Sequence, residues 1–190
     1  MKKGFLVALM LFAGINAFSQ KKDIQVESDK ALNKDFGKFK TFAFASMIDS
    51  NLEAGLYFLN DLVFKSQLRE AVQEELMGLG YRMDKKNPDL VVNFRVFEEP
   101  TTLKGFEGYG SSYWGNQKYR QISDQTTYDV KAGTLLVSLL DKKDAQVVWQ
   151  GFASGLIDND KFIKDKATIR QAVSLIMDEY GVRVNNYSTK

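Results

Sequence analysis

Glycine and aromatic residues are interleaved in one stretch of the chain, between Gly105 and Tyr119. Flat aromatic side chains on a glycine-hinged loop can stack on sugar rings or pack against an apolar partner, and polar neighbours can fix the orientation of what is bound. The alternative is that these side chains fold back on a sheet edge and bind nothing. The candidate binding residues are Tyr109, Tyr113, Trp114, Tyr119 and Arg120.

Histidine and cysteine are both missing from the sequence. Without them the chain cannot form Ser-His or Cys-His catalytic groups, a thiolate nucleophile, a disulfide or the usual zinc sites. The sequence therefore predicts no catalytic residues, no metal site and no cofactor. It favours a protein that binds over one that catalyses.

Acidic residues on either side of the glycine and aromatic stretch keep one enzymatic alternative open. Glycosidases use two carboxylates held at one of two fixed separations, and Glu98, Glu99, Asp124 and Asp129 could supply such a pair. Sequence spacing sets no such separation, and some of the 24 acidic residues must flank any loop. A carboxylate-dependent hydrolase acting on envelope glycans is thus the alternative function.

A short acidic cluster, Asp158 to Asp160, begins like a calcium-binding loop. Phe162 and Ile163 follow where further oxygen ligands and a glycine belong. We therefore predict that this cluster caps the helix that follows it and binds no metal.

The first 19 residues have the pattern of a secretory signal peptide. Lys2 and Lys3 form a positive start, an apolar run extends from Gly4 to Ile15, and small residues at Ala17 and Ser19 suit a signal peptidase. The run is shorter than the roughly 20 residues of a membrane-spanning helix. We expect a cleaved signal over 1–19 and a periplasmic or secreted mature chain with no transmembrane segment.

The mature chain has balanced charge and no cysteine for a lipid anchor. Removal of Lys2 and Lys3 leaves 24 basic against 24 acidic side chains. Nothing in this balance favours nucleic acid or an anionic surface as a partner.

The stretch 128–154 organises the predicted fold. Alternating residues at 133–140 predict a strand inside a sheet, and 147–149 form its partner strand after a polar turn at 141–145. The position of Trp149 on this apolar hairpin predicts that it lies in the core. Further alternating stretches predict strands at 24–27, 41–45 and 90–97.

Apolar side chains repeated every three or four residues predict two amphipathic helices. Asn60 or Asp61 suits the first N-cap, and Gly80 and Gly181 suit left-handed C-caps. The apolar stripes are Phe64, Leu68, Ala71, Val72, Leu76 and Leu79 in the first helix, and Ile169, Ala172, Val173, Ile176, Met177 and Tyr180 in the second.

Two such helices need a common apolar surface, which one face of a sheet can supply. We predict a single α+β domain over 20–190, a two-layer sandwich with a mostly antiparallel sheet of four to six strands and both helices on one face. The glycine and aromatic segment, at about 99–129, keeps no regular period and is predicted to be a loop.

Four blocks of the chain follow one another in a recognisable order. They are DFGKFKTFAF at 35–44, Gly80-Tyr81, NPDLVV at 87–92, and 133–151, which ends in VVWQG. Their succession resembles the bacterial family called domain of unknown function 4136. The resemblance implies a small cell-envelope protein, commonly a lipoprotein, with an α+β domain, no assigned activity and no known catalytic residues. The missing cysteine departs from the lipoprotein pattern and argues against a lipid anchor here.

The signal pattern, the missing catalytic side chains and the aromatic segment together favour a non-catalytic envelope protein. Its expected partner is another envelope protein or a cell-wall or glycan component. A third class is an assembly subunit that associates with its own copies through a sheet edge.

Protein isolated from its native host is expected to begin at Gln20, because a signal peptidase removes Met1 to Ser19 during export. Mass spectrometry of the N-terminal peptide after cell fractionation measures this. An intact Met1, or release from the cells by detergent only, contradicts the prediction.

Overall fold

A computed structural model describes residues 23–31, 34–48, 61–106 and 125–184, with only the backbone described at 103–106 and 125–128. The helices are α1 (Ala45–Ile48), α2 (Leu62–Gly78) and α3 (Lys166–Tyr180), and a 3-10 turn spans Phe36–Lys38. The strands are β1 (Gln25–Lys30), β2 (Thr41–Phe44), β3 (Arg82–Met83), β4 (Leu90–Phe97), β5 (Thr101–Phe106), β6 (Gln125–Val130), β7 (Thr134–Asp141), β8 (Gln146–Ser154), β9 (Ile157–Asp158) and β10 (Lys161–Phe162).

The main sheet contains six strands in the order β1-β8-β7-β4-β2-β3. The pairs β1–β8, β8–β7 and β7–β4 are antiparallel, whereas β2 runs parallel to both β4 and β3. The parallel pairs follow from the connection through α2, because parallel neighbours need a crossover between them. The predicted α+β class is therefore confirmed, with a mixed sheet that is mostly antiparallel.

Both long helices cover the same face of this sheet, as predicted. Their apolar stripes form one core with side chains of β2, β4, β7 and β8. We call this side the helix face and the opposite side the second face. The strand side chains in this core are Phe42, Phe44, Leu90, Val92, Val96, Leu135, Val137, Leu139, Val148, Trp149 and Ala153. No helix among the described residues is long and apolar enough to cross a bilayer.

The ends of the helices follow side-chain chemistry visible in the sequence. Asp61 caps α2, since its carboxylate accepts a hydrogen bond from the Phe64 amide at 3.0 Å. Gly181 ends α3 in the left-handed region at φ 63°, where glycine carries no steric penalty. The predicted caps at Asp61 and Gly181 are thus confirmed.

The predicted helix cap at Asp158 to Asp160 is wrong. Asn159 and Asp160 have φ values of 49° and 58° and form the turn between β9 and β10. Asn and Asp tolerate this left-handed backbone well, so the same residues suit a tight hairpin turn. The cap of α3 is Asp165, whose carboxylate accepts from the Thr168 amide at 2.9 Å.

Trp149 lies at the centre of the core and has no exposed surface. Its ring centroid is 5.1 Å from that of Tyr180, whose hydroxyl shares a hydrogen bond of 2.7 Å with the Tyr81 hydroxyl. A Cβ added at Gly151 would stand 2.6 Å from a Trp149 ring carbon and 2.7 Å from a methyl of Ile176. Glycine at 151 is therefore what lets the indole ring and α3 close onto β8.

Replacing Trp149 with alanine is expected to lower the free energy of unfolding by about 3 to 5 kcal/mol, the usual cost of truncating a buried aromatic side chain. Denaturant titration of the two proteins measures the difference. Leu62→Ala is the control, because Leu62 is 75% exposed and its loss should cost less than about 0.5 kcal/mol. A cost below about 1 kcal/mol for Trp149→Ala would contradict the assigned core.

Asp141 links the β7–β8 turn to the segment before β2. Its side chain is 3% exposed and lies 3.1 Å from Lys38 Nζ and 3.4 Å from Lys34 Nζ, and it accepts a hydrogen bond from the Lys143 amide at 3.0 Å. Burial alone would raise the pKa of Asp141, but the two ammonium groups and the amide outweigh it and lower the pKa below its usual value.

Asp141→Asn is expected to cost about 2 kcal/mol at pH 7, in the range for buried hydrogen bonds to a charged group. A lowered folded-state pKa stabilises the protein above the unfolded pKa of about 3.9, and this contribution disappears as pH falls through the folded value. The stability gap between the two proteins, measured by denaturant titration, should therefore shrink below about pH 4. A gap that stays constant down to pH 2 contradicts the charge-based account.

Candidate functional site

Polar side chains form a row across the second face of the sheet. The strand register sets Asn93 of β4 beside Ser138, Ser138 beside Gln150, and Gln150 beside Asp29 of β1. Ser138 has no exposed surface, and Gln150 and Asn93 are 7% and 8% exposed. Buried polar groups cost stability unless they are hydrogen-bonded. The second face thus carries buried polar side chains, whereas the helix face is apolar.

An apolar cluster lies beside the polar row on the same face. It joins Phe97 of β4 and Leu136 of β7 to Val130 at the end of β6, with Phe152 of β8 packed against it. Val130 therefore attaches the base of the β5–β6 hairpin to the main sheet.

A groove of about 310 Å³ lies where this cluster meets the edge strand β1. Its volume is at the lower end of the range for small-molecule sites, about 300 to 1,000 Å³. The sheet supplies one side and the base of the β5–β6 hairpin supplies the other. We call it the β1–β6 groove, and its lining residues are Gln25, Glu27, Asp129, Val130, Lys131, Thr134, Phe152 and Ser154.

The strand register arranges the groove side chains in pairs. Gln25 lies beside Ser154, and Glu27 lies beside the half-buried ring of Phe152. An aromatic surface is thus flanked by a carboxylate and an amide. This arrangement presents hydrogen-bond acceptors and one apolar face to a ligand.

Hydrogen bonds hold the hairpin side of the groove. The Thr134 hydroxyl donates to the Lys131 carbonyl oxygen at 2.8 Å, which fixes the link between β6 and β7. The Thr102 hydroxyl donates to Asp129 Oδ1 at 3.3 Å across the hairpin. The Asp129 carboxylate keeps further acceptor positions, because each carboxylate can accept about four hydrogen bonds.

Asp29 lies two residues from Glu27 on the same face of β1. Burial raises the pKa of Asp29, and a hydrogen bond from the Lys30 amide opposes part of this rise.

Among the described residues, no group of three or more acidic side chains could hold a metal ion.

The predicted binding residues Tyr109, Tyr113, Trp114, Tyr119 and Arg120 lie outside the described residues. The ends of the predicted loop are strands, since β5 and β6 pair from Thr101–Val130 to Phe106–Gln125. The groove lies at the Val130 end of this ladder, and the undescribed segment 107–124 joins its other end. The described residues therefore do not bring the predicted and observed sites together.

The acidic residues considered as a catalytic pair have separate partners. Glu98 lies 3.7 Å from Lys164 Nζ, whereas Asp129 accepts from Thr102 at the groove. Asp124 lies outside the described residues. Sequence reasoning missed the groove residues of β1 and β8, whose only signal was the alternation of their side chains.

Comparison with known proteins assigns the family. The model of the family described as domain of unknown function (DUF4136) matches residues 26–180. The chain belongs to this family. The sequence-based resemblance is therefore confirmed, and no curated protein matches the chain.

One solved structure of a similar protein supports the fold of this DUF4136 chain, and two others match it at lower TM-scores. A DUF4136 family protein from Bacteroides thetaiotaomicron has a TM-score of 0.53 at 19% identity, with 84% of this chain and 97% of that chain covered. A PDZ domain protein from Parabacteroides distasonis matches with a TM-score of 0.48 at 18% identity, over 88% of this chain and 37% of its own. A PelC dodecamer from Paraburkholderia phytofirmans matches with a TM-score of 0.43 at 10% identity, over 84% and 98%.

Proposed function

We propose that this protein is exported to the cell envelope and binds a glycan component there without catalysing a reaction. The β1–β6 groove carries the proposal, because it combines an aromatic ring with hydrogen-bonding side chains in a space of about 310 Å³. The signal pattern over 1–19 supports export to the cell envelope.

The side chains of the groove match the chemistry of a sugar. A sugar ring has apolar C–H faces that can stack on the Phe152 ring, and hydroxyl groups that can donate to carboxylates. Glu27 and Asp129 supply such acceptors, and the Gln25 amide both donates and accepts. A ligand without hydroxyl or amide donors would displace water from these groups without replacing its hydrogen bonds.

The aromatic residues of the segment 107–124 are proposed as a second contact for a longer glycan. This segment connects β5 to β6, and the base of the same hairpin forms one side of the groove. One chain element thus links the two proposed contact regions.

A hydrolase acting on envelope glycans is the second candidate function. It is favoured by Asp29, whose pKa is raised by burial, because glycosidases pair a carboxyl group of raised pKa with an ionised one. Glu27 is the neighbouring carboxylate on that face of β1.

Glu27→Gln and Phe152→Leu are each expected to weaken binding of a soluble N-acetylglucosamine oligomer by about tenfold. The first removes a charged acceptor and the second removes the flat aromatic face. Each tenfold loss corresponds to about 1.4 kcal/mol of binding free energy. Isothermal titration calorimetry measures the affinities. Phe152→Leu retains an apolar side chain, so a change in packing alone should alter binding little.

Glu99→Gln is the matched control, because Glu99 is exposed and does not line the groove. Equal affinity for the variants and the wild type, or no binding at all, contradicts the glycan proposal. The same titration with a Tyr113→Ala/Trp114→Ala variant tests the segment 107–124. Release of new reducing ends, lost in Asp29→Asn, would identify the hydrolase instead.

A further inference from the structure

The strand β1 forms one edge of the main sheet. It pairs with β8 on one side, and no described strand lies on its other side. It has six residues, whereas the strand at the opposite edge, β3, has two. An uncovered edge strand presents backbone donors and acceptors that an extended chain can pair with.

The phase of the β1–β8 ladder identifies the backbone groups that point outward. The Ala31 amide donates to the Val148 carbonyl oxygen at 2.9 Å, so residue 31 faces β8. Hydrogen-bonded and non-hydrogen-bonded pairs alternate in an antiparallel ladder. The backbone groups of residues 25, 27 and 29 therefore face β8, and those of Val26, Ser28 and Lys30 point away from the sheet. The Lys30 amide donates to the Asp29 carboxylate, so Val26 and Ser28 supply the outward donors.

The side chains of β1 set the charge that a neighbouring strand would meet. Glu27 and Asp29 both project on the second face, since their register partners are Phe152 and Gln150. On the helix face Val26 is partly buried against the core. A strand beside β1 would place its own side chains directly opposite these residues.

We propose that the outer edge of β1 binds an extended segment of a partner protein that carries lysine or arginine at alternate positions. The outward backbone groups of Val26 and Ser28 and the carbonyl of Lys30 form the ladder, and the basic side chains lie opposite Glu27 and Asp29. An apolar residue that flanks this basic pair lies opposite Val26 on the helix face. This interaction shares Glu27 with the groove, but it does not rest on the glycan proposed there.

The same charges disfavour a second copy of this chain at the edge. Each of the three central antiparallel registers of β1 with itself sets one acidic residue opposite another: Glu27 opposite Glu27, Glu27 opposite Asp29, or Asp29 opposite Asp29. Like charges directly opposite each other are destabilising. The acidic pattern therefore selects a basic partner over self-association.

A synthetic heptapeptide of alternating valine and lysine tests the proposal. At a peptide concentration about ten times its Kd, exchange of the amide hydrogens of Val26 and Ser28 should slow about tenfold, because only the free protein exchanges. The amides of Gln25, Glu27 and Asp29 already face β8 and should change little. NMR-detected hydrogen exchange resolves these positions one by one.

Ser28→Pro removes one outward donor and leaves the bonds to β8 in place, and edge strands tolerate proline at such positions. It should abolish the protection, whereas Ser28→Ala keeps the amide and should retain it. If thermal unfolding shows that Ser28→Pro is destabilised, the peptide is N-methylated instead at the amides that face β1. N-methyl groups on the peptide amides that face β1 should abolish the protection. N-methyl groups on the alternate amides, which point away from β1, should leave it unchanged.

A heptapeptide of alternating valine and glutamate is the charge control and should give no protection. Equal protection by the acidic peptide overturns the proposal. So does protection that is the same whichever set of peptide amides is methylated. So does slowed exchange confined to residues 129–134, which would place the peptide in the groove. Protection that rises with protein concentration in the absence of peptide would indicate self-association and also overturns it.

Discussion

The central strand β7 has to be covered on both faces, and the rest of the fold depends on this constraint. All eight of its residues are buried, although α2 and α3 pack on the helix face alone. On the second face the described cover includes Val130, from the base of the β5–β6 hairpin. The groove forms at the margin of this cover, where the sheet continues to β8 and β1 beyond the hairpin. The site is thus a consequence of covering a wide sheet with a narrower element on its second side.

Packing on the helix face determines the backbone beneath the groove. Gly151 allows the Trp149 ring and Ile176 to approach β8 closely, and this contact holds the strand against α3. Phe152 is the next residue, so its side chain projects on the opposite face into the groove. Sites on strands supported by a packed core are more precise than sites on loops. The aromatic surface of the groove is therefore positioned by a core on the other side of the same strand.

The sequence predicted the elements that have strong periodicity. The helical stripes, the cap at Asp61 and the burial of Trp149 are all confirmed, because each depends on local spacing. The parallel pairing of β2 and the adjacency of β1 to β8 could not be predicted, since both depend on contacts between distant segments. The turn at Asn159 and Asp160 was predicted to be a helix cap, because Asn and Asp suit caps and turns equally. The groove combines residues from three such distant segments, so sequence reasoning did not find it.

The polar character of β1 explains why only its beginning was predicted to be a strand. Val26 alternates with polar neighbours, but Glu27, Ser28 and Asp29 interrupt the apolar pattern. Charged side chains on an edge strand are a common protection against unwanted pairing. In β1 the two carboxylates lie on one face, so they repel another acidic strand, whereas the outward backbone groups of Val26 and Ser28 can pair with a partner. The acidic residues that interrupt the apolar pattern of β1 are therefore the ones that would determine which partner pairs with it.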